Sequence, residues 1–249
     1  MATPTNQPPH FEPFALLTEN LLILPTPLAV SIKPYRQMYA SVHANRDFCN
    51  MGFGPHFLPR VWSDDETREV IQARDIGRCW NPRGMGDFAV GKYENLSDAS
   101  QEYGRVLGSE DGKEGGVRLV EGDEYESLIS AADNFLDKIT WVGYAGVRDA
   151  TTTSMPARTP EDAELPPWKE MVELRYGVAQ EYWGKGVARE AAKAVMEWAA
   201  KERGVRRFIA ETEKENVRSG RVLQKMGFVL SGTDYWKEPS EMEWERVVG

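Results

Sequence analysis

The sequence predicts a mixed α/β fold in one large domain. Three observations carry this: short β-branched and aromatic runs recur along the chain, the clearest helix follows a strand through a glycine turn, and an alternating segment closes the chain. The 249 residues are 41% hydrophobic, enough for one core. The net charge of -9 argues against a nucleic-acid surface, which needs a basic face to release counterions. No apolar run approaches the length of a membrane span. Cys49 and Cys79 lack metal-type spacing, and His10, His43 and His56 form no pair, so no metal is expected and a reducing, cytoplasmic setting fits.

Residues 1–17 read as a flexible tail and 18–249 as the domain. Leu21 to Leu24 predicts a first strand stopped by Pro25. Tyr35, Met38, Tyr39 and Val42 share a helical face between Pro34 and Met51. Ser63 followed by Glu66 is a capping box ahead of Val70, Ile71 and Ile76. Asp87 to Tyr93 and Ile139 to Val147 predict strands. Between them lies an acidic insertion, about 94–137. Its residues 97–126 carry nine Asp/Glu against three Lys/Arg, which predicts a solvated loop with little core and one short helix from Tyr125 to Asp137. A second insertion, about 149–168, is rich in Thr and Pro. Both insertions are expected to flank the ligand, with a disordered surface loop as the alternative for most of their length.

Val172 to Ala179 predicts a strand, followed by a turn from Gln180 to Gly186. Val187, Ala191, Val195, Trp198 and Ala199 lie on one helical face that ends at Gly204. A strand near Val205 to Thr212, a helix from Asn216 to Met226 and a strand pair at Phe228 to Trp236 and Met242 to Val248 complete the order.

The chemistry concentrates at Trp183-Gly184-Lys185-Gly186. A strand feeding a glycine turn and then a helix aims unpaired N–H groups and the positive helix end at one point, so an anion belongs there. Gly184 and Gly186 remove side chains from its approach, and Lys185 adds charge. The alternative is a tight turn without a ligand. No GxxxxGK[ST] segment is present, and Gly84-Met85-Gly86 lacks the strand-turn-helix order of a dinucleotide site. Gly220, costly inside a helix, suggests a ligand passing its backbone.

The segment from Glu173 to Ala188 resembles the acetyl-CoA-binding segment of GCN5-related N-acetyltransferases (GNAT), and Asn216-Val217-Arg218-Ser219 with Gly227-Phe228 resembles the downstream block of the RimJ/RimL-like branch. The resemblance is strong over residues 170 to 235. It implies a GNAT fold whose central sheet splays at the cofactor strand. It also implies an acetyl-CoA cosubstrate at Gly177, Val178, Ala179, Trp183, Gly184, Lys185, Gly186, Val187, Ala188 and Asn216, and an amine acceptor, either a small molecule, a lysine or a peptide N-terminus. Glu173 aligns with the general base of histone-acetylating relatives, with Glu211 in reserve and an exposed strand glutamate as the alternative. The Val178 N–H is the expected oxyanion donor. Leu223 stands where many relatives carry the Tyr that protonates the thiolate, so Ser219 is assigned that task, or else only orders its helix. Tyr235 and Trp236 are further candidates for the acceptor pocket. Glu181 departs from the Gln/Arg expected before the first glycine. A CoA-binding sensor or scaffold without turnover is the competing function, and the acidic loops suit a cationic acceptor.

Overall fold

The computed structural model describes residues 11–92, 103–107, 116–130 and 135–248. Strands β1 (Phe14–Leu17) and β2 (Leu22–Pro25) are followed by helices α1 (Thr26–Ala29), α2 (Lys33–Ala44) and α3 (Arg46–Phe53). Helix α4 (Asp64–Ile71) runs directly into a π-helix (Gln72–Trp80) and the single turn α5 (Asn81–Arg83). After β3 (Asp87–Lys92), β4 (Arg105–Val106) and β5 (Arg118–Glu121) come α6 (Gly122–Ser130), β6 (Thr140–Asp149) and the turn α7 (Ala150–Thr153). The C-terminal part is β7 (Val172–Val178), α8 (Val187–Arg203), β8 (Arg207–Glu213), α9 (Val217–Lys225), β9 (Val229–Leu230) and β10 (Glu241–Val247).

Among the described residues, ten strands form one sheet in the order β4-β5-β1-β2-β3-β6-β7-β8-β10-β9. Only β7 and β8 run parallel, as the intervening helix α8 requires, since a crossover returns the chain to the same end of the sheet. The mixed α/β expectation therefore holds. The parallel ladder covers only Val172 and Glu173, opposite Phe208 and Ile209, so β7 parts from β8 beyond Glu173. That divergence is the splay.

Local signals account for most element ends. Asn45 breaks the expected Pro34–Met51 helix in two, because its side chain accepts from the Phe48 N–H and caps α3. Ser63 and Glu66 make the reciprocal capping box. Gly204 ends α8 in the left-handed region at φ 66°.

Four expectations need correction. Residues 14–17, placed in the tail, form β1 and are buried, because their apolar side chains continue the sheet beside β2; residues 1–10 lie outside the described residues. The acidic insertion is not without core. Arg118–Glu121 pairs along β1, and Leu119, Val120, Tyr125, Leu128 and Phe135 are buried, so sparse apolar residues at strand and helix spacing sufficed where average composition suggested solvation. Its residues 93–102, 108–115 and 131–134 lie outside the described residues. The Phe228–Trp236 strand shrinks to Val229–Leu230, because the Ser231 hydroxyl accepts from the Thr233 N–H and turns the chain. Finally, Gly220 has a packing account: a Cβ there would sit 3.3 Å from the Trp244 ring, tighter than ordinary contact, so the glycine does not by itself indicate a ligand.

Candidate active site

Between the sheet and the α2–α4 layer lies a cavity of about 900 Å³ that reaches through the splay to the glycine turn. Its two ends are chemically distinct.

At the first end, Gly184 (φ 75°) and Gly186 (φ 84°) both need the left-handed region, and a Cβ at either would meet nothing within 4 Å. The turn's backbone is therefore open to a ligand. No side chain caps α8, which leaves its first-turn N–H groups without a side-chain acceptor. The helix start is fixed from the N-terminal side instead, since Thr18 Oγ1 and the Asn20 N–H both donate to Glu190 at 2.6 and 3.1 Å. Around the turn stand Lys185, Arg189, Arg218 and Lys225, all lining the cavity, with Arg218 over the Trp183 ring at 5.3 Å. The Trp183 indole N–H is committed to the Val178 carbonyl at 2.7 Å, so this side chain braces the turn.

Hydrogen-bond parity decides which strand atoms face the splay. The Ala179 N–H donates to the Val142 carbonyl, and antiparallel pairing alternates, so Gly177 turns its backbone groups to Tyr144 of β6. Tyr176 and Val178 turn theirs toward the splay. Of the expected backbone contacts, the Val178 N–H is thus placed to meet an extended ligand, its carbonyl being taken by Trp183, and Gly177 is not. Gly177 is instead a packing requirement: a Cβ would lie 2.6 Å from the Tyr144 ring and 2.8 Å from Phe48. Ala179, Val187 and Ala188 lie beside the turn, the last two on the cavity wall.

Asn216 is buried and caps α9, accepting from the Ser219 N–H at 3.0 Å while its Nδ2 donates to Ser219 Oγ at 3.1 Å. Because Ser219 Oγ accepts there, its own proton remains to be donated. Both residues line the cavity. Leu223 is buried, as an apolar residue at the family's tyrosine position would be. A hydroxyl reaches the same place from another element: Tyr176 on β7 lines the cavity and donates to the Ser219 carbonyl, and burial pushes its phenol up to about 12.

Glu173 is on the cavity wall as expected, but it is not the exposed strand residue of the alternative. It is 1% exposed, and Arg148 grips it at 2.8 and 3.0 Å while Ser154 also donates to it. Burial opposes its charge, yet the Arg148 guanidinium and these hydrogen bonds together hold the carboxyl below its ordinary range. Three of its roughly four acceptor positions are occupied. Glu211, also on the wall, contrasts with it. Burial, and then the nearby Glu173 charge, push it up to about 8. Two carboxylates in adjoining places thus differ sharply in basicity, the arrangement that separates a proton acceptor from a fixed charge.

Tyr235 and Trp236 do not join the cavity; they pack on the small cluster of Ala150, Met171 and Ile209. Sequence reading missed Arg148, Arg175, Tyr144 and Tyr176. An Arg or a Tyr within a strand carries no signal until pairing brings β6 and β7 together. Of the insertions, the second reaches the site through Thr153 and Ser154, whereas no described residue of the acidic one lines the cavity.

Residues 120–229 match the family described as the acetyltransferase (GNAT) domain. Over those residues the chain carries a GNAT domain. That match contains β7, the glycine turn and the Asn216/Ser219 cap. The uncharacterized N-acetyltransferase YnaD of Bacillus subtilis is 36% identical over 66 residues, which are 23% of this chain and 39% of that protein, so the match spans well under half of the relative's length. An acetyltransferase from Agrobacterium tumefaciens shares the fold at 16% identity and a TM-score of 0.54, over 97% of this chain and 99% of that one. RimL, a ribosomal L7/L12 α-N-protein acetyltransferase solved with coenzyme A, shares it at 15% identity and a TM-score of 0.50, over 92% and 94%. Among the described residues, no cluster of metal-binding side chains occurs and no helix is long and apolar enough to cross a membrane.

Proposed function

We propose that the protein is an acetyl-CoA-dependent N-acetyltransferase that moves an acetyl group to a primary amine by direct attack in a ternary complex. The observation that carries this reading is the uncapped, open glycine turn at one end of a cavity that continues through the splay of β7 and β8. The residues present fit the cosubstrate. The Gly184 and Gly186 backbone, the first turn of α8 and the cations Lys185 and Arg218 would hold its pyrophosphate. Acetyl-CoA would supply the acetyl group as an activated thioester.

Glu211, rather than Glu173, takes the proton from the acceptor ammonium. A base near 8 matches an α-amino group, whose ordinary value is ~7.7–8.0, far better than a carboxylate already bound by arginine. Glu173, held in place by Arg148, is a positioning residue whose negative charge raises Glu211 while Arg148 opposes it. The Val178 N–H, directed at the splay, stabilises the developing oxyanion. The Ser219 hydroxyl, oriented by Asn216, donates to the departing sulfur, and the Tyr176 phenol stands beside it. These hydroxyls answer the vacancy left by Leu223, which otherwise favours a CoA-binding module without turnover.

Thermal melting with CoA and thiol release over an amine panel test the reading together. Saturation at a hundred times Kd stabilises by about 2.7 kcal/mol, visible as a shift of several degrees. The absence of both stabilisation and thiol release refutes the proposal, and stabilisation without turnover on any amine selects the non-catalytic module.

A further inference from the structure

The chain carries a net charge of -9, yet among the described residues the cavity wall has nine Lys or Arg against four Asp or Glu. Four of the cations, at the glycine turn, belong to the pyrophosphate end. The others lie at the opposite end, and two of those are neutralised: Arg148 by Glu173, and Arg175 by Asp87 at 3.6 Å. Arg60, Arg74 and Arg78 remain, all exposed on the cavity's rim. Among the described residues none of the three has a carboxylate within ion-pair distance, and Arg78 donates only to the carbonyl oxygens of Thr152 and Thr153.

Their placement is built into the fold. Arg74 and Arg78 are four positions apart on the π-helix, about one turn, so both project on one side of it. This nine-residue π segment is far longer than the single-turn bulges usually seen, and such departures gather at functional sites. The two carbonyls from the 149–168 segment pin the Arg78 fork at the wall and leave other N–H groups of that fork unused. The positive field also reaches the cavity's interior. His43, on the wall, is lowered to about 4, mainly by burial but also by the Arg175 and Arg74 charges, so the ring stays neutral. No described acidic-insertion residue offsets this, since none lines the cavity.

We infer that Arg74 and Arg78 form an anion subsite for the acceptor, so that the amine acetylated here carries a carboxylate. The inference rests on the acetyltransferase reading and narrows its substrate class, reversing the cationic acceptor suggested by the acidic composition. A guanidinium pair free of internal carboxylates matches the planar carboxylate in bidentate fashion. The carboxylate has two possible sources, a free α-amino acid or an acidic side chain near a peptide's N-terminus.

The test is acceptor kinetics at saturating acetyl-CoA. One arm compares α-amino acids with their carboxamides; the other compares tetrapeptide amides with Asp or Asn at the second position. The parent protein should favour the acid member of a pair at least tenfold in kcat/KM, and the arm in which this occurs identifies the source. Arg74→Gln/Arg78→Gln should abolish that preference through acceptor KM, leaving the KM for acetyl-CoA unchanged, and Arg74→Lys should retain part of it. Equal use of acid and amide by the parent, or a preference that survives in the double variant, overturns the inference while leaving the acetyltransferase reading intact. Absence of transfer to every amine overturns both. A melt within two degrees or so of the parent secures the double variant's fold, as expected for exposed substitutions.

Discussion

Glu173→Gln should move the pH profile of acetyl transfer downward although it removes a residue aligned with the family's general base. Glu211 is held near 8 by burial and by the Glu173 charge, and Arg148 opposes both. With the parent protein about one-tenth of Glu211 is ionised at pH 7 and about nine-tenths at pH 9, so kcat/KM should rise roughly tenfold across that limb. Neutralising Glu173 removes a like charge and frees Arg148 to act on Glu211 alone. Both changes favour the ionised form. A close charge typically shifts a carboxyl by about 1–3 units, so the midpoint should fall by at least about one. Rate at pH 7 would then increase relative to the plateau, although the plateau falls because a weaker base accepts the proton. Thiol release between pH 6 and 9.5, with a thermal melt at each end, measures this. Loss of the buried partner of Arg148 costs several kcal/mol, about 3–5 in comparable pairs, so the melt must show the variant folded. A profile unchanged in midpoint, or activity abolished at every pH in folded protein, would refute the assignment and return the base to Glu173.

Other outcomes follow from single contacts. Glu211→Gln should lower kcat/KM by about 10²–10⁴ and flatten the limb near pH 8. The same variant should lose a pH dependence of stability. A carboxyl raised from 4.5 to about 8 on folding contributes stability present below 4.5 and lost as pH rises through about 8, and denaturant melts at pH 5 and 9 read that difference. Ser219→Ala should reduce kcat with little change in the KM for acetyl-CoA, whereas Asn216→Ala should also cost about 1 kcal/mol by removing the α9 cap. Leu119→Ala, in the acidic insertion, should destabilise by about 2–5 kcal/mol, because Leu119 is 2% exposed in a strand paired with β1; a solvated loop would lose almost nothing.

The C-terminal half was the more legible because its signals are local. A strand, a glycine turn, a periodic helix and a cap at Asn216 each occupy a few consecutive residues, and each formed where expected. What escaped depends on pairing between distant segments. Leu119 and Val120 look solvated among acidic neighbours until β5 is laid on β1. The meaning of Gly220 was misread for the same reason, since Trp244 arrives from the last strand. Glu173 was found by alignment with the family segment, but its chemistry is set by Arg148, opposite it across the β6–β7 ladder. Charge misled in a similar way: composition averages over the surface, while the cavity concentrates its arginines.

The central claim is that the Gly184–Gly186 turn binds the pyrophosphate of CoA. Calorimetric titration of CoA into the parent protein and into Gly186→Ala tests it most directly. A Cβ at position 186 meets no protein atom within 4 Å, so its effect on the fold is confined to the left-handed backbone, about 1–2 kcal/mol, while the methyl group enters the ligand's path. The account predicts one CoA bound per parent chain and at least tenfold weaker binding to the folded variant. Equal affinity in both, or no binding by the parent, would contradict it.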